Sequence, residues 1–196
     1  MPITGPIKLS DGTAVVIRPV RPDDRPHFEQ GLRELSARSL FHRFHGTFRP
    51  TSKDWDYLTR VDQHDHLAVC AVQVSGTEDH GAGVARCVRR SPDGRVAEIA
   101  ITVVDRYQGK GVGSMLLAAL SRAARREGIE TFVGYVESDR RRLLRFLASL
   151  PGASIRAGVG VAEVHFPVLD DPDLWPDTPY GRLGRSVLTV EPVDSR

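Results

Sequence analysis

The chain has 196 residues, with 27 Lys and Arg against 25 Asp and Glu and a formal net charge of +2. That length suits one domain, or one domain with a tail, and gives ample room for a single core. A charge this close to balance excludes strong recruitment to nucleic acid or to a membrane, and no apolar run approaches a bilayer span.

The basic residues are nearly all Arg; the lysines are Lys8, Lys53 and Lys110. The N-terminus lacks a signal-peptide core. Cys70 and Cys87 fall within apolar runs without a CxxC spacing, so they read as reduced core residues. A cytoplasmic location is the expectation.

In chain order, Ala14 to Val20 alternates and predicts a strand. Arg21-Pro22-Asp23-Asp24 carries helix-start signals for a helix to about Leu35. Ser36 to Phe44 reads as a second short helix. Thr51 caps a third reaching about Val61, with Trp55, Leu58 and Val61 on one face. Leu67 to Val74 and Ala82 to Arg90 follow as strands, joined by a polar turn over 76–80. Ser91-Pro92-Asp93-Gly94 turns the chain into a strand from Arg95 to Val104.

The next helix, Ser114 to Arg126, carries an apolar stripe of Met115, Leu116, Ala119, Leu120 and Ala123 and ends at Gly128. Thr131 to Val136 is a strand. Asp139 is expected to cap a helix from Arg140 to Leu150, stopped by Pro151-Gly152. Ser154–Ile155 and Val161–Phe166 form a final hairpin. The order predicts an α+β domain with a mixed sheet over residues 1–168. Residues 169–196, rich in Pro and Asp and holding Trp175 and Tyr180, show too little periodicity to assign. They form an appendage packed by its aromatics or a partly disordered tail.

The most informative stretch is Gln108-Gly109-Lys110-Gly111-Val112-Gly113-Ser114, between a β-branched run and a helix start. Glycines let main chain approach a ligand, and a helix N-terminus offers unpaired N–H groups carrying roughly half a positive unit charge. A phosphate or pyrophosphate is the expected guest. The spacing matches neither a Walker loop nor a dinucleotide fingerprint.

It does match Gln/Arg-x-x-Gly-x-Gly/Ala, and the string from Ile101 to Leu117 resembles the fourth strand and third helix of the GNAT N-acetyltransferases. The resemblance runs from about Val15 to about Val168. It implies a mixed sheet of about six to seven strands whose fourth and fifth members splay apart to admit the pantetheine arm of acetyl-CoA. It also implies that main chain near Ile101, Thr102 and Val103 contacts the thioester and pantetheine, and that Gln108 through Ser114 holds the pyrophosphate, with Lys110 adding a charge. Glu98 stands where many members carry a general base; a glutamate on an alternating strand also serves as its solvent-facing residue. Members often place Asn and Tyr where this chain has Arg140 and Leu147, so the usual acid for the leaving thiolate is missing.

Ser36 to Phe44, Leu58 to Asp62 and His66 to Val69 look like the entry region of bacterial protein lysine acetyltransferase domains. Those domains are often fused to cyclic-nucleotide or acyl-CoA synthetase-like modules, neither of which fits within 196 residues. The implied acceptor is a protein lysine; a small amine, or acyl-CoA binding without turnover, are the alternatives. His64 and His66 beside Asp62 and Asp65 lack a third firm ligand, so no metal is expected. Arg86, Arg89 and Arg90 read as an exposed strand face, or as a greeting for an acidic acceptor.

Overall fold

The computed structural model describes residues 5–44, 46, 48–74, 80–91 and 93–190. Residues 76–79 of the turn expected over 76–80, Pro92 of the hairpin and residues 191–196 lie outside them.

One sheet runs through the molecule. Its strands are β1 (Ile7–Lys8), β2 (Ala14–Pro19), β3 (His66–Gln73), β4 (His80–Arg89), β5 (Val96–Val103), β6 (Thr131–Glu137), β7 (Ser154–Ala157) and β8 (Val161–Pro167). Their spatial order is β1-β2-β3-β4-β5-β6-β8-β7. Every pairing is antiparallel except β5 with β6. The helices are α1 (Arg25–Arg33), α2 (Ala37–Phe44), α3 (Ser52–Thr59), α4 (Val112–Arg126), α5 (Arg141–Ala148) and α6 (Pro179–Thr189).

The N-terminal helices begin as their sequences direct. Asp24 closes a 3-10 turn over Pro22–Asp24, accepting from the Arg21 amide at 2.7 Å and from both Arg18 terminal nitrogens at 2.5 and 2.8 Å. Thr51 and Asp54 form a reciprocal capping box on α3. That helix ends at Thr59 rather than Val61, because Arg60 leaves helical geometry. At α5 the expected cap is corrected. Arg140 is the N-cap residue and makes no side-chain cap bond, while the Asp139 carboxylate takes Arg38 of α2 at 3.2 Å.

The central strands of the sheet bury residues on both faces. Against one lies α4, whose Met115, Leu116 and Leu120 pack on Val15, Ile17, Leu67, Val69, Ala85 and Ala97. On the other, α1 and α3 help cover a smaller cluster of Val20, Ala68, Cys70 and Val72. Cys87 faces the first and Cys70 the second; both thiols are free, and burial pushes each up to about 12.

Residues beyond Val168 complete the first layer. Trp175 is 2% exposed and its indole N–H donates to the Leu169 carbonyl at 3.2 Å. Helix α6 then packs on α4, which buries Leu117, Ala118 and Ala124 besides its expected stripe. Arg122 of α4 donates to the carbonyls of Val187, Leu188 and Val190 at the end of α6. Among the described residues no helix is long and apolar enough to cross a membrane.

Candidate functional site

The site is built where β5 and β6 part. They pair only at Val96–Thr131, Ala97–Phe132 and Glu98–Val133. Beyond Glu98, β5 stays with β4 as far as Val103, while β6 follows β8 as far as Glu137. Gly134 eases the divergence: a Cβ there would stand 3.2 Å from the Ile99 side chain.

The antiparallel ladder decides which main-chain groups face the gap. The Val104 amide donates to Ala82, and Val96 accepts from Arg90, so the even-numbered residues of β5 bond to β4. The odd-numbered ones turn toward β6. Ile101 therefore turns its N–H and carbonyl to the gap and Val103 its N–H, the Val103 carbonyl being taken by Gln108, whereas Thr102 spends its main chain on β4. The Thr102 side chain instead lines a cavity on the far face of the sheet from α4. Of the three residues expected near the thioester, Ile101 and Val103 thus turn main chain toward the gap and Thr102 does not.

The glycine loop follows directly. Gly109 and Gly111 adopt φ of 73° and 90°, a region other residues enter only with strain. Gly111 is the N-cap of α4 and offers no side-chain cap, which leaves the first amides, those of Val112 and Gly113, for a ligand. The Ser114 and Met115 amides return to the Gly111 carbonyl at 3.1 Å. Val112 and Ser114 bury their side chains, so only their main chain is on offer. A Cβ on Gly109 would meet nothing within 4 Å, whereas one on Gly111 would lie 2.0 Å from Leu183 of α6.

Two side chains of the loop are engaged within the protein. Gln108 donates to the Val103 carbonyl, Asp105 and Ser39, at 3.0 to 3.2 Å, bracing the loop between β5 and α2. Lys110 Nζ lies 2.6 Å from Asp11, whose carboxyl it holds well below the usual range.

Glu98 sits at the last paired position, on the face away from α4. It is half-exposed, and its Oε2 lies 3.0 Å from Arg90 Nε. Arg90 Nη1 also donates to the Tyr135 hydroxyl at 3.1 Å. Tyr135 shares this face because Val133, two residues before it, pairs with Glu98. Sequence reasoning missed it; only its alternation along β6 pointed to the exposed face. Leu147, where the resemblance implies a tyrosine in place of leucine, is buried in the core.

Helix α2 spans the far end of the gap. Its Ser39 meets Gln108, and the Ser36 amide just before it reaches Asp105. Its Arg38 meets Asp139, and His42 Nδ1 lies 3.1 Å from Glu137 at the end of β6. Arg38 Nε also donates to His42 Nε2 at 3.1 Å.

The remaining candidates separate. His64 Nδ1 lies 2.7 Å from Glu127, while the His66 ring is tilted against Tyr57 with centroids 4.8 Å apart and its Nε2 meets Arg86 at 3.2 Å. Burial, followed by the Arg86 charge, lowers the His66 pKa to about 4. Arg86 corrects the reading of an exposed arginine face: it is 4% exposed and points into the sheet's covered side.

Comparison with known proteins agrees with this geometry. Residues 30–150 match the Acetyltransferase (GNAT) family. The chain is 32% identical over 174 residues to Acetyltransferase Pat of Mycolicibacterium smegmatis, covering 88% of this chain and 52% of Pat. It therefore spans about half the length of that relative. It is also 32% identical to Acetyltransferase PA5475 of Pseudomonas aeruginosa, over 74% of this chain and 77% of that one. Among solved structures, the GNAT domain of S. lividans PAT superposes with a TM-score of 0.73 at 25% identity, covering 84% of this chain and 96% of that domain. A cAMP-binding acyltransferase from Mycobacterium smegmatis gives 0.59 at 27% identity, over 95% and 56% of the two chains. With the mixed sheet, the parted strands and the glycine loop in place, the chain belongs to the GNAT acetyltransferase family.

Proposed function

We propose that this chain carries the acetyl group of acetyl-CoA to a primary amine, foremost a protein lysine side chain in the cytoplasm, with Glu98 as general base. The observation that carries the reading is the position of Glu98 at the point where β5 and β6 part. The gap suits an extended pantetheine arm paired with the main chain of Ile101 and Val103. The open amides at the start of α4 suit the pyrophosphate.

The chemistry then follows from the amine. A lysine with a pKa of about 10.4 is neutral in roughly one molecule per thousand near pH 7.4. Glu98 takes its proton, directly or through a water, as the nitrogen attacks the thioester carbon. A main-chain N–H of the β5 edge stabilises the developing oxyanion. The carbon–sulfur bond breaks, and the CoA thiolate leaves and takes a proton from water.

Likeness to Pat and to the PAT domain favours lysine over a small amine. The test is mass spectrometry of candidate protein acceptors incubated with acetyl-CoA. Acetyl-lysine should form with the native chain and fall by about a hundredfold or more with Glu98→Gln. CoA release with small amines alone would move the acceptor to that class. CoA binding without turnover on any acceptor would refute the reaction, and equal activity in Glu98→Gln would refute the base.

A further inference from the structure

The face of the sheet opposite α4 holds a cavity of about 80 Å3 beneath α1, α2 and α3. Its wall is largely apolar, with Phe28, Leu32, Phe44, Trp55 and Val84 among the lining residues. Two arginines also border it, Arg43 from α2 and Arg86 from β4.

Neither has a carboxylate at ion-pair distance among the described residues. Arg86 meets only neutral acceptors, His66 Nε2 at 3.2 Å and the Leu58 carbonyl at 3.1 Å. Arg43 lies over the Phe44 ring, 4.9 Å from its centroid. Asp24 borders the cavity, but its oxygens are taken by Arg18 and the Arg21 amide. Glu98 is close enough to act on Arg43 through its charge, yet it is paired with Arg90. Burial disfavours both cations, and the Arg43 charge adds to the cost at Arg86.

Two cations in an apolar enclosure are costly unless an anion completes them. The enclosure is too apolar to suit a sugar acid or an inorganic ion, and two positive charges repel an amine. We propose that this cavity is a binding site for a small apolar carboxylate, its anionic end between Arg43 and Arg86 and its hydrocarbon end against Phe44 and Trp55. Binding needs neither CoA nor the role assigned to Glu98, so it stands or falls separately from the transfer reaction.

The test is calorimetric titration of the full chain, without CoA, with propionate, butyrate and hexanoate and with alkylamines of the same lengths. Trp55, in the wall, gives a second readout by fluorescence. Saturable binding of at least one carboxylate and none of any amine is expected. Arg43→Met should weaken it about tenfold or more, the loss of one charge-assisted contact, while Arg43→Lys should retain most of it. Arg43 makes no hydrogen bond to another element among the described residues, so these variants should fold; circular dichroism checks this. The proposal is overturned if no carboxylate saturates, if amines bind equally well, or if Arg43→Met binds like the native chain.

Discussion

Arg90 Nε lies 3.0 Å from a carboxylate oxygen of Glu98, and the same guanidinium holds the Tyr135 hydroxyl at 3.1 Å. One side chain just past the end of β4 thus ties β5 to β6 at the point where they separate. A half-exposed ion pair of this kind adds little to stability, roughly 1 kcal/mol or less. Its effect is to fix where the carboxylate points.

Arg90→Gln should therefore lower kcat by about tenfold while leaving KM for acetyl-CoA unchanged, a smaller loss than the hundredfold or more expected for Glu98→Gln. Steady-state CoA release measures both. A large rise in KM for acetyl-CoA in Arg90→Gln would show that the arginine serves the cofactor instead.

The two left-handed glycines of the loop should answer substitution differently. Gly109→Ala adds a methyl into open space and should cost only backbone strain, about 1 kcal/mol. Gly111→Ala meets the same strain and drives the methyl into Leu183. It should lower the melting temperature further and displace α6 as well as weaken CoA binding. The pair of melting curves decides this, and Gly111→Ala combined with Leu183→Ala should recover part of the loss.

Arg122 closes the end of α6 through three carbonyls. Arg122→Ala should destabilise the fold by about 1–3 kcal/mol, because hydrogen bonds from a charged donor are lost in a half-buried place. Truncation after Val168 removes Trp175, Val187 and Leu188 from the core and should leave a chain that unfolds or aggregates. A soluble, cooperatively melting 1–168 fragment would contradict that.

His66 sets an acid limit on stability. Its folded pKa of about 4 lies below the ordinary value of about 6.5, so the unfolded chain takes the proton first. Stability should hold above pH 6.5, decline as pH falls from there toward 4, and level off below. The loss is on the order of 2 kcal/mol, allowing for the ring's partial exposure. His66→Gln should flatten that window in pH-dependent melts. The lowered carboxylates Asp24 and Asp62 lose their contribution only at lower pH, as protons reach them below the usual carboxylate range.

Most strands and helices could be read from the sequence because they carry one-sided apolar patterns, as α4 and β2 do. What was hidden had a physical reason. Strand β1 has two residues, too few for any period. Helix α6 buries Gly181 and Gly184 along with Val187 and Leu188, so half its inward face is glycine and shows no apolar stripe. Gly184 is required there because a Cβ would lie 2.2 Å from the Trp175 ring. The capping role expected of Asp139 depended on local sequence alone, and a contact across 101 positions, from Arg38, took the carboxylate away. At the site, the glycine loop and Glu98 were visible as a motif and a strand position. The Arg90–Tyr135 contact and the buried Arg86 follow from register, which no local window contains.

The parted strands also say what kind of molecule the sheet can accept. An outer strand with free amides invites any other sheet to extend it, and that hazard ends in aggregation. The free edge of β5 is internal: it lies between two strands joined at their base and is bridged at the far end by α2. A crevice of that shape is closed to a second folded chain and open to one narrow, extended thread. The architecture thus separates wanted from unwanted pairing by width, before any side chain is consulted.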